Sequence, residues 1–213
     1  MRLRLPDPSH VTMTGPTDPI CLHYRVPFRW LLNRRLTATL ELADGRRFRR
    51  LLDAGVGGGV LLPELGDRSD ALYGVDIHDR LNGVATMAGR EGIAVRLMRG
   101  SIAALPFGDT VFDGVVCVSV LEFVEMYDAA VAELARVTAI GGAVILGFPV
   151  TSWITDIGYR MARTPDPHVV HKADHRMLLA SADRHLRRER VETVPRGVPI
   201  DMALFVVGRW TKR

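Results

Sequence analysis

One decapeptide constrains the fold more than any other stretch: Leu51-Leu52-Asp53-Ala54-Gly55-Val56-Gly57-Gly58-Gly59-Val60. An apolar run that ends in a carboxylate and breaks into glycines reads as a buried strand entering a tight turn. Val60-Leu61-Leu62 then opens an apolar segment suited to a helix. Glycine lets backbone come close to a ligand, and the N–H groups and dipole of the following helix favour an anionic or polar group on the turn. Glycine-rich turns that bind nothing share the pattern, so a cofactor role has to be carried by the rest of the chain.

Upstream, Phe28, Leu31, Leu32, Leu36 and Leu40 recur near helical spacing, which predicts a helix over 27–42 before the first strand at 49–53. Downstream, a helix through Leu65 leads to a second strand at 71–76, Ala71-Leu72-Tyr73-Gly74-Val75-Asp76, which also ends in a carboxylate. A helix over 79–90 and a strand over 94–98 follow. Residues 111–121 hold the continuous apolar core Val115-Val116-Cys117-Val118 of a strand buried on both faces. An amphipathic helix over 126–137, stopped by Gly141-Gly142, precedes a strand at 143–148. A helix over 171–186 and strands at 190–194 and 202–210 complete the order. Such alternation predicts an α/β fold: a doubly wound, Rossmann-like sheet of seven strands, mostly parallel with an antiparallel last strand, and helices on both faces. Residues 1–19, with Pro6, Pro8, Pro16 and Pro19, predict a flexible N-terminal arm. Residues 20–213 read as a single domain, in which 149–175 form a segment covering the substrate side.

Composition enters where partners are concerned. The net charge is +4, but lysine occurs only at Lys172 and Lys212, and no basic stripe alternates with aromatics. The arginine clusters at 46–50 and 184–190 therefore read as solvated faces, and no nucleic-acid partner is expected. No apolar run reaches the roughly 20 residues of a membrane span, and the N-terminus lacks a signal-peptide core, so a cytoplasmic protein without a membrane partner is expected. Cys21 and Cys117 have no metal-binding spacing.

In a doubly wound sheet, ligands sit at the carboxyl ends of the strands where the strand order reverses. The glycine turn, Asp76 and Ser101-Ile102 all fall there, after strands one, two and three. Asp76 follows Gly55 by about 20 positions, the distance at which a carboxylate reaches ribose hydroxyls. A helix N-cap is the other reading of the same residue.

These residues resemble the class I S-adenosylmethionine-dependent methyltransferases of small-molecule type. Leu52, Asp53, Gly55, Gly57 and Gly59 match that family's apolar–acid–glycine pattern, and Asp76 its strand-two acid. Leu105, Pro106, Phe107, Asp109, Phe112, Asp113 and Val115 match its more specific later segment, and 133–142 its helix and turn before strand five. The resemblance runs from about Phe48 to Phe148. It implies S-adenosyl-L-methionine as cofactor, held by Asp53, Gly55, Gly57, Gly59, Asp76, Ile77, Ser101, Ile102 and Ser119, with Ile77 against adenine. The chain departs from the family at Ser101, often an acid, and at Phe123, often a histidine. A nicotinamide dinucleotide, the rival cofactor, requires glycine where the chain has Val60.

Methyl transfer from a sulfonium needs alignment above all, with a base only for acceptors such as hydroxyls. The residues expected to carry chemistry are His171, His168 and Glu122, with Tyr127, His175 and Tyr24 as further candidates for the pocket wall. His168, His171 and His175 would share one helix face beside Asp174, but they read as polar lid residues, and no metal is expected. The expected partner is a small-molecule substrate, bound by a monomer or homodimer. The alternative function is a cofactor-binding scaffold or partner subunit that transfers no methyl group; an NAD-dependent oxidoreductase ranks below it.

Overall fold

The computed structural model describes residues 3–14, 19–26, 28–152 and 171–213. Among them the order is α1 (Phe28–Glu41), β1 (Phe48–Ala54), α2 (Leu62–Asp67), β2 (Ser69–Asp76), α3 (Leu81–Arg90), β3 (Val95–Arg99), β4 (Phe112–Val118), α4 (Tyr127–Val137), β5 (Thr138–Pro149), α5 (His175–His185), β6 (Arg187–Val194) and β7 (Phe205–Thr211). The strands form one sheet in the order β3-β2-β1-β4-β5-β7-β6. β1 to β5 pair in parallel, and β7 inserts between β5 and β6, antiparallel to both. The doubly wound, mostly parallel sheet with an antiparallel last strand is the fold the alternation predicts.

Alternation along the strands sorts the core into two layers. Leu52, Val115, Cys117, Val144 and Leu146 pack with Val131 and Leu134 of α4 and Leu178 of α5. Leu51, Val116, Ile145 and Val207 pack with Leu36 of α1, Leu62 of α2 and Met87 of α3. Central β4 is covered on both sides, which is why its sequence shows no polar alternation.

The segment Leu105–Asp109 is held from α4. Glu133 Oε2 accepts the Leu105 N–H at 2.8 Å, and Arg136 donates to the carbonyls of Leu105 and Phe107 and to Asp109. Phe107 and Phe112 meet edge to face at 4.8 Å, and each also meets Tyr73 edge to face. Asp113 accepts the N–H groups of Arg49 and Arg50 at the start of β1. The longest stretch of family resemblance is thus a structural brace that fixes β4 beside β1.

Three expectations need correction. β4 ends at Val118, before Leu121, because Ser119 takes a left-handed φ of 57° and a short 3-10 turn over Leu121–Phe123 follows. The Gly141-Gly142 pair does not stop α4, which ends at Val137; the glycines lie where the β4–β5 register shifts. α5 begins at His175, capped by Asp174, which accepts the Met177 N–H at 2.8 Å, so His171 precedes the helix. Residues 3–14 form no helix or strand, and they are hydrogen-bonded to the body of the fold. The Arg4 N–H meets Glu64 at 2.6 Å, the Asp7 N–H and the His10 ring meet Glu91, and Tyr24 Oη donates to the Pro6 carbonyl.

Candidate functional site

The glycine turn sits at the carboxyl end of β1, next to the β1–β4 pairing where the strand order reverses. Gly55, Gly57 and Gly59 all have positive φ. At Gly59 a side chain would meet Met87, Leu62 and Val84 at 2.6–2.9 Å, so this glycine admits close packing of α3. At Gly57 a Cβ would meet nothing within 4 Å, so the space above it is open to a ligand. A cavity of about 140 Å³ opens there, bounded by Asp53, Gly55–Gly58, Val118 and Ser119 from the sheet side and by Ile20, His23, Arg35 and Leu36 from the N-terminal side. Such a volume takes a ligand group of several heavy atoms, well beyond a single water.

Asp53, 3% exposed, lines this cavity, and no donor meets its carboxyl group among the described residues. Burial, with the Asp76 charge adding to it, pushes its pKa up to about 8. Asp76 is held differently: Oδ2 accepts the Gly57 N–H at 2.7 Å, and Oδ1 accepts the N–H groups of Ile77 at 2.7 Å and His78 at 3.3 Å. It therefore braces the glycine turn itself. A carboxylate has about four acceptor sites, so capacity remains on the side facing away from those amides.

Further along the sheet edge, Ile77 is 68% exposed, an unusual state for an apolar residue at a strand end. Ser101 Oγ accepts the Ala103 N–H, which uses the hydroxyl in a local turn. Ile102 lies in the core on the α4 and α5 side, so any contact it makes with a ligand falls to its backbone. The structure gathers Asp53, Gly55, Gly57 and Ser119 around one cavity, leaves Gly59 beneath it, and joins Asp76 to it through Gly57.

Glu122, 2% exposed, lies in the 3-10 turn after β4, and its Oε2 has no hydrogen-bond partner among the described residues. Burial pushes it up to about 8, against which its own backbone N–H and the nearby Arg35 charge act more weakly. Its carbonyl accepts the Lys172 N–H at 2.6 Å, which brings the returning chain to this turn and sets the His171 ring 5.1 Å from that of Phe123. His168 lies outside the described residues. His175 is a buried strut: its Nδ1 accepts the Thr151 N–H and its Nε2 lies 3.2 Å from Asp201. Tyr127 packs against the core. The shared histidine face is not formed by His171 and His175, since only His175 is on the helix. Among the described residues no three metal-ligating side chains converge, and no helix is long and apolar enough to cross a membrane.

His23 and Arg35 were missed from sequence. The signal for Arg35 was its position: on a helix it falls three residues after Leu32 and beside Leu36, on the face that is buried. An arginine there requires a polar destination.

A family model described as a methyltransferase domain matches residues 52–146. The chain is 33% identical over 132 residues to the demethylmenaquinone methyltransferase of Thermus thermophilus, covering 56% of this chain and 60% of that protein's length. The fold matches the N-methyltransferase NodS from Bradyrhizobium japonicum, solved with S-adenosyl-L-homocysteine, with a TM-score of 0.71, 18% identity and 94% of each chain covered. It matches the [4+2]-cyclase SpnF with a TM-score of 0.70 and 16% identity, over 88% of this chain and 84% of the other. Residues 52–146 therefore match a methyltransferase domain, the chain spans about three fifths of the length of the curated relative it matches, and its fold is the Rossmann-like fold of these solved structures.

Proposed function

We propose that the protein is an S-adenosylmethionine-dependent methyltransferase that acts on a small-molecule acceptor by in-line transfer. The observation that carries this reading is the orphaned, buried carboxyl group of Asp53 facing a cavity over the open Gly57, with Asp76 bonded to the same turn. A ligand with an ammonium group at one end and a vicinal diol at the other fits that arrangement, and the cofactor has both. Asp53 takes the ammonium, the free capacity of Asp76 takes the ribose diol, and exposed Ile77 lies against adenine. Ser101 and the Ile102 backbone border the adenine edge, and Ser119 closes the cavity.

When bound, the cofactor supplies an activated methyl group. The chain's residues orient it and the acceptor, and alignment of this kind is worth about 7–11 kcal/mol of a barrier. Glu122, buried and raised toward neutrality, is the group suited to take a proton from a hydroxyl or ammonium acceptor, with His171 or His168 as the alternative. A small acceptor agrees with the names of the similar proteins, and a cytoplasmic setting suits the buried free thiol of Cys117.

The test has two stages. S-adenosylhomocysteine should raise the melting temperature while NAD does not. Radiolabelled methyl groups should then pass to a metabolite in preference to RNA or protein. The likeness to a cyclase favours keeping the scaffold reading as second. Tight cofactor binding with no transfer to any acceptor class would select it.

A further inference from the structure

From Ile20 to Leu40 the chain carries Arg25, Arg29, Arg34 and Arg35 and no aspartate or glutamate. Two of these arginines face the protein: Arg34 lies 3.9 Å from Glu41, and Arg35 stands in the cavity wall. The other two, Arg25 and Arg29, are exposed, and among the described residues no carboxylate pairs with either. The Arg29 N–H donates to the Arg25 carbonyl at 2.8 Å, a helical bond that carries the turn of α1 back to Arg25. Arg25 and Arg29 therefore stack one turn apart, and Val26 and Trp30 stack beside them in the same way. Val26 is 74% exposed and Trp30 66%.

The rest of α1 explains this exposure. Leu36, Ala38 and Leu40 sit in the core, so the helix packs through its second half and its first turn stands clear of the sheet. That turn lies at the mouth of the glycine-turn cavity, because Ile20 and His23 just before it and Arg35 and Leu36 just after it are lining residues. Past Ser119, to which Arg35 donates at 2.9 Å, the same end of the sheet shows Phe123, 50% exposed, and Met126, 66% exposed. Large apolar side chains gathered in solvent beside unpaired cations mark an interaction surface, since solubility asks for neither the tryptophan nor the valine.

We propose that the first turn of α1 docks on an anionic bilayer surface, with Trp30 and Val26 entering the headgroup layer and Arg25 and Arg29 meeting lipid phosphates, so that the mouth of the cavity faces the membrane. A tryptophan ring suits the headgroup level, where its body is in an apolar setting and its N–H stays wet, and an arginine lays its stem along apolar surface while its head reaches phosphate. Freedom from acidic residues over Ile20–Leu40 complements the negative charge of such a surface. Docking of this kind needs no spanning helix. It is independent of the methyltransferase reading, because none of the four residues is assigned to the cofactor.

The test sediments the full chain with vesicles of phosphatidylcholine alone and of phosphatidylcholine with about one third phosphatidylglycerol. Wild type should partition onto the mixed vesicles, stay in solution with phosphatidylcholine alone, and be released by added salt as the Debye length shortens. Arg25→Gln and Arg29→Gln should each weaken partition about fivefold, the weight of one basic residue near an anionic surface. Trp30→Ala should weaken it about tenfold or more through lost apolar burial, with the melting temperature unchanged because the ring stands in solvent. Arg49→Gln, at the amino end of β1 with a side chain 88% exposed, should partition like wild type. Wild type that stays in solution with both vesicles, or binds both equally, overturns the proposal. Equal losses for Arg49→Gln and Arg25→Gln would reduce the attraction to net charge and overturn it too. Self-association that Trp30→Ala abolishes, seen by sedimentation equilibrium, would give the surface to a second copy instead. Binding to a single-stranded RNA oligonucleotide without partition onto vesicles would give it to nucleic acid.

Discussion

Cofactor affinity should rise steeply with pH, and the reason is Asp53. Its pKa stands at about 8 because burial disfavours the charged form and the neighbouring Asp76 charge adds to the effect. An ammonium group can be held there only after the proton leaves. At pH 6 a group of that pKa is ionised in about one molecule in a hundred, and at pH 8 in about half. The association constant for S-adenosylhomocysteine should therefore climb about tenfold from pH 6 to 7 and about 50-fold from pH 6 to 8, releasing close to one proton per ligand bound at the lower end.

Titration calorimetry in two buffers of different ionisation heat measures affinity and proton release together. Asp53→Asn should flatten the profile and bind weakly at every pH, whereas Glu122→Gln, which alters a carboxyl group outside the cavity lining, should retain the slope. The same shift fixes a stability trend in the ligand-free protein. The folded pKa lies above the ordinary value of 3.8, so the folded state binds the proton more tightly than the unfolded chain. Stability is greatest below about pH 4 with respect to this group and falls until about pH 8. The limit is roughly 6 kcal/mol at about 1.36 kcal/mol per unit. An affinity that changes less than twofold between pH 6 and 7, or a slope that survives Asp53→Asn, refutes the reasoning.

Glu122→Gln should raise the melting temperature more at pH 8.5 than at pH 5.5, because it removes a buried charge present only at the higher pH, and should lower turnover on a hydroxyl acceptor. Asp76→Ala should weaken cofactor binding more than tenfold and also cost roughly 1–3 kcal/mol in urea unfolding, since the Gly57 N–H loses its acceptor; unchanged calorimetric affinity would return Asp76 to a purely structural role. Arg136→Ala should destabilise by about 2–4 kcal/mol through the lost brace on Leu105–Asp109 while leaving cofactor affinity within about twofold of wild type, as paired melting and calorimetry would show. Treatment with a chelator should leave cofactor binding and turnover unchanged; loss reversed by added zinc or iron would contradict the metal-free reading.

The sheet was legible because its causes are local. Apolar runs of strand length, carboxylates at their ends and glycines at the turn are readable from neighbours in sequence, and Asp53, Gly55, Gly57 and Asp76 all belong to that pattern. The segment from Leu105 to Val115 was legible as resemblance, but its physical role as a brace needed Glu133 and Arg136 brought against it. Strand and helix ends were less readable. Ser119 ends β4 early by adopting a conformation that no serine prefers, and only the surrounding packing holds it there. The histidine cluster failed for a similar reason, because a cap at Asp174 starts the helix too late to carry His171. What the sequence alone determined is the set of elements and the glycine turn with the carboxylates at the ends of β1 and β2, since each depends on residues close together in the chain. What the tertiary structure decided is the far wall: His23 and Arg35 come from the N-terminal side and Ser119 from the turn after β4, and only folding brings them to one cavity.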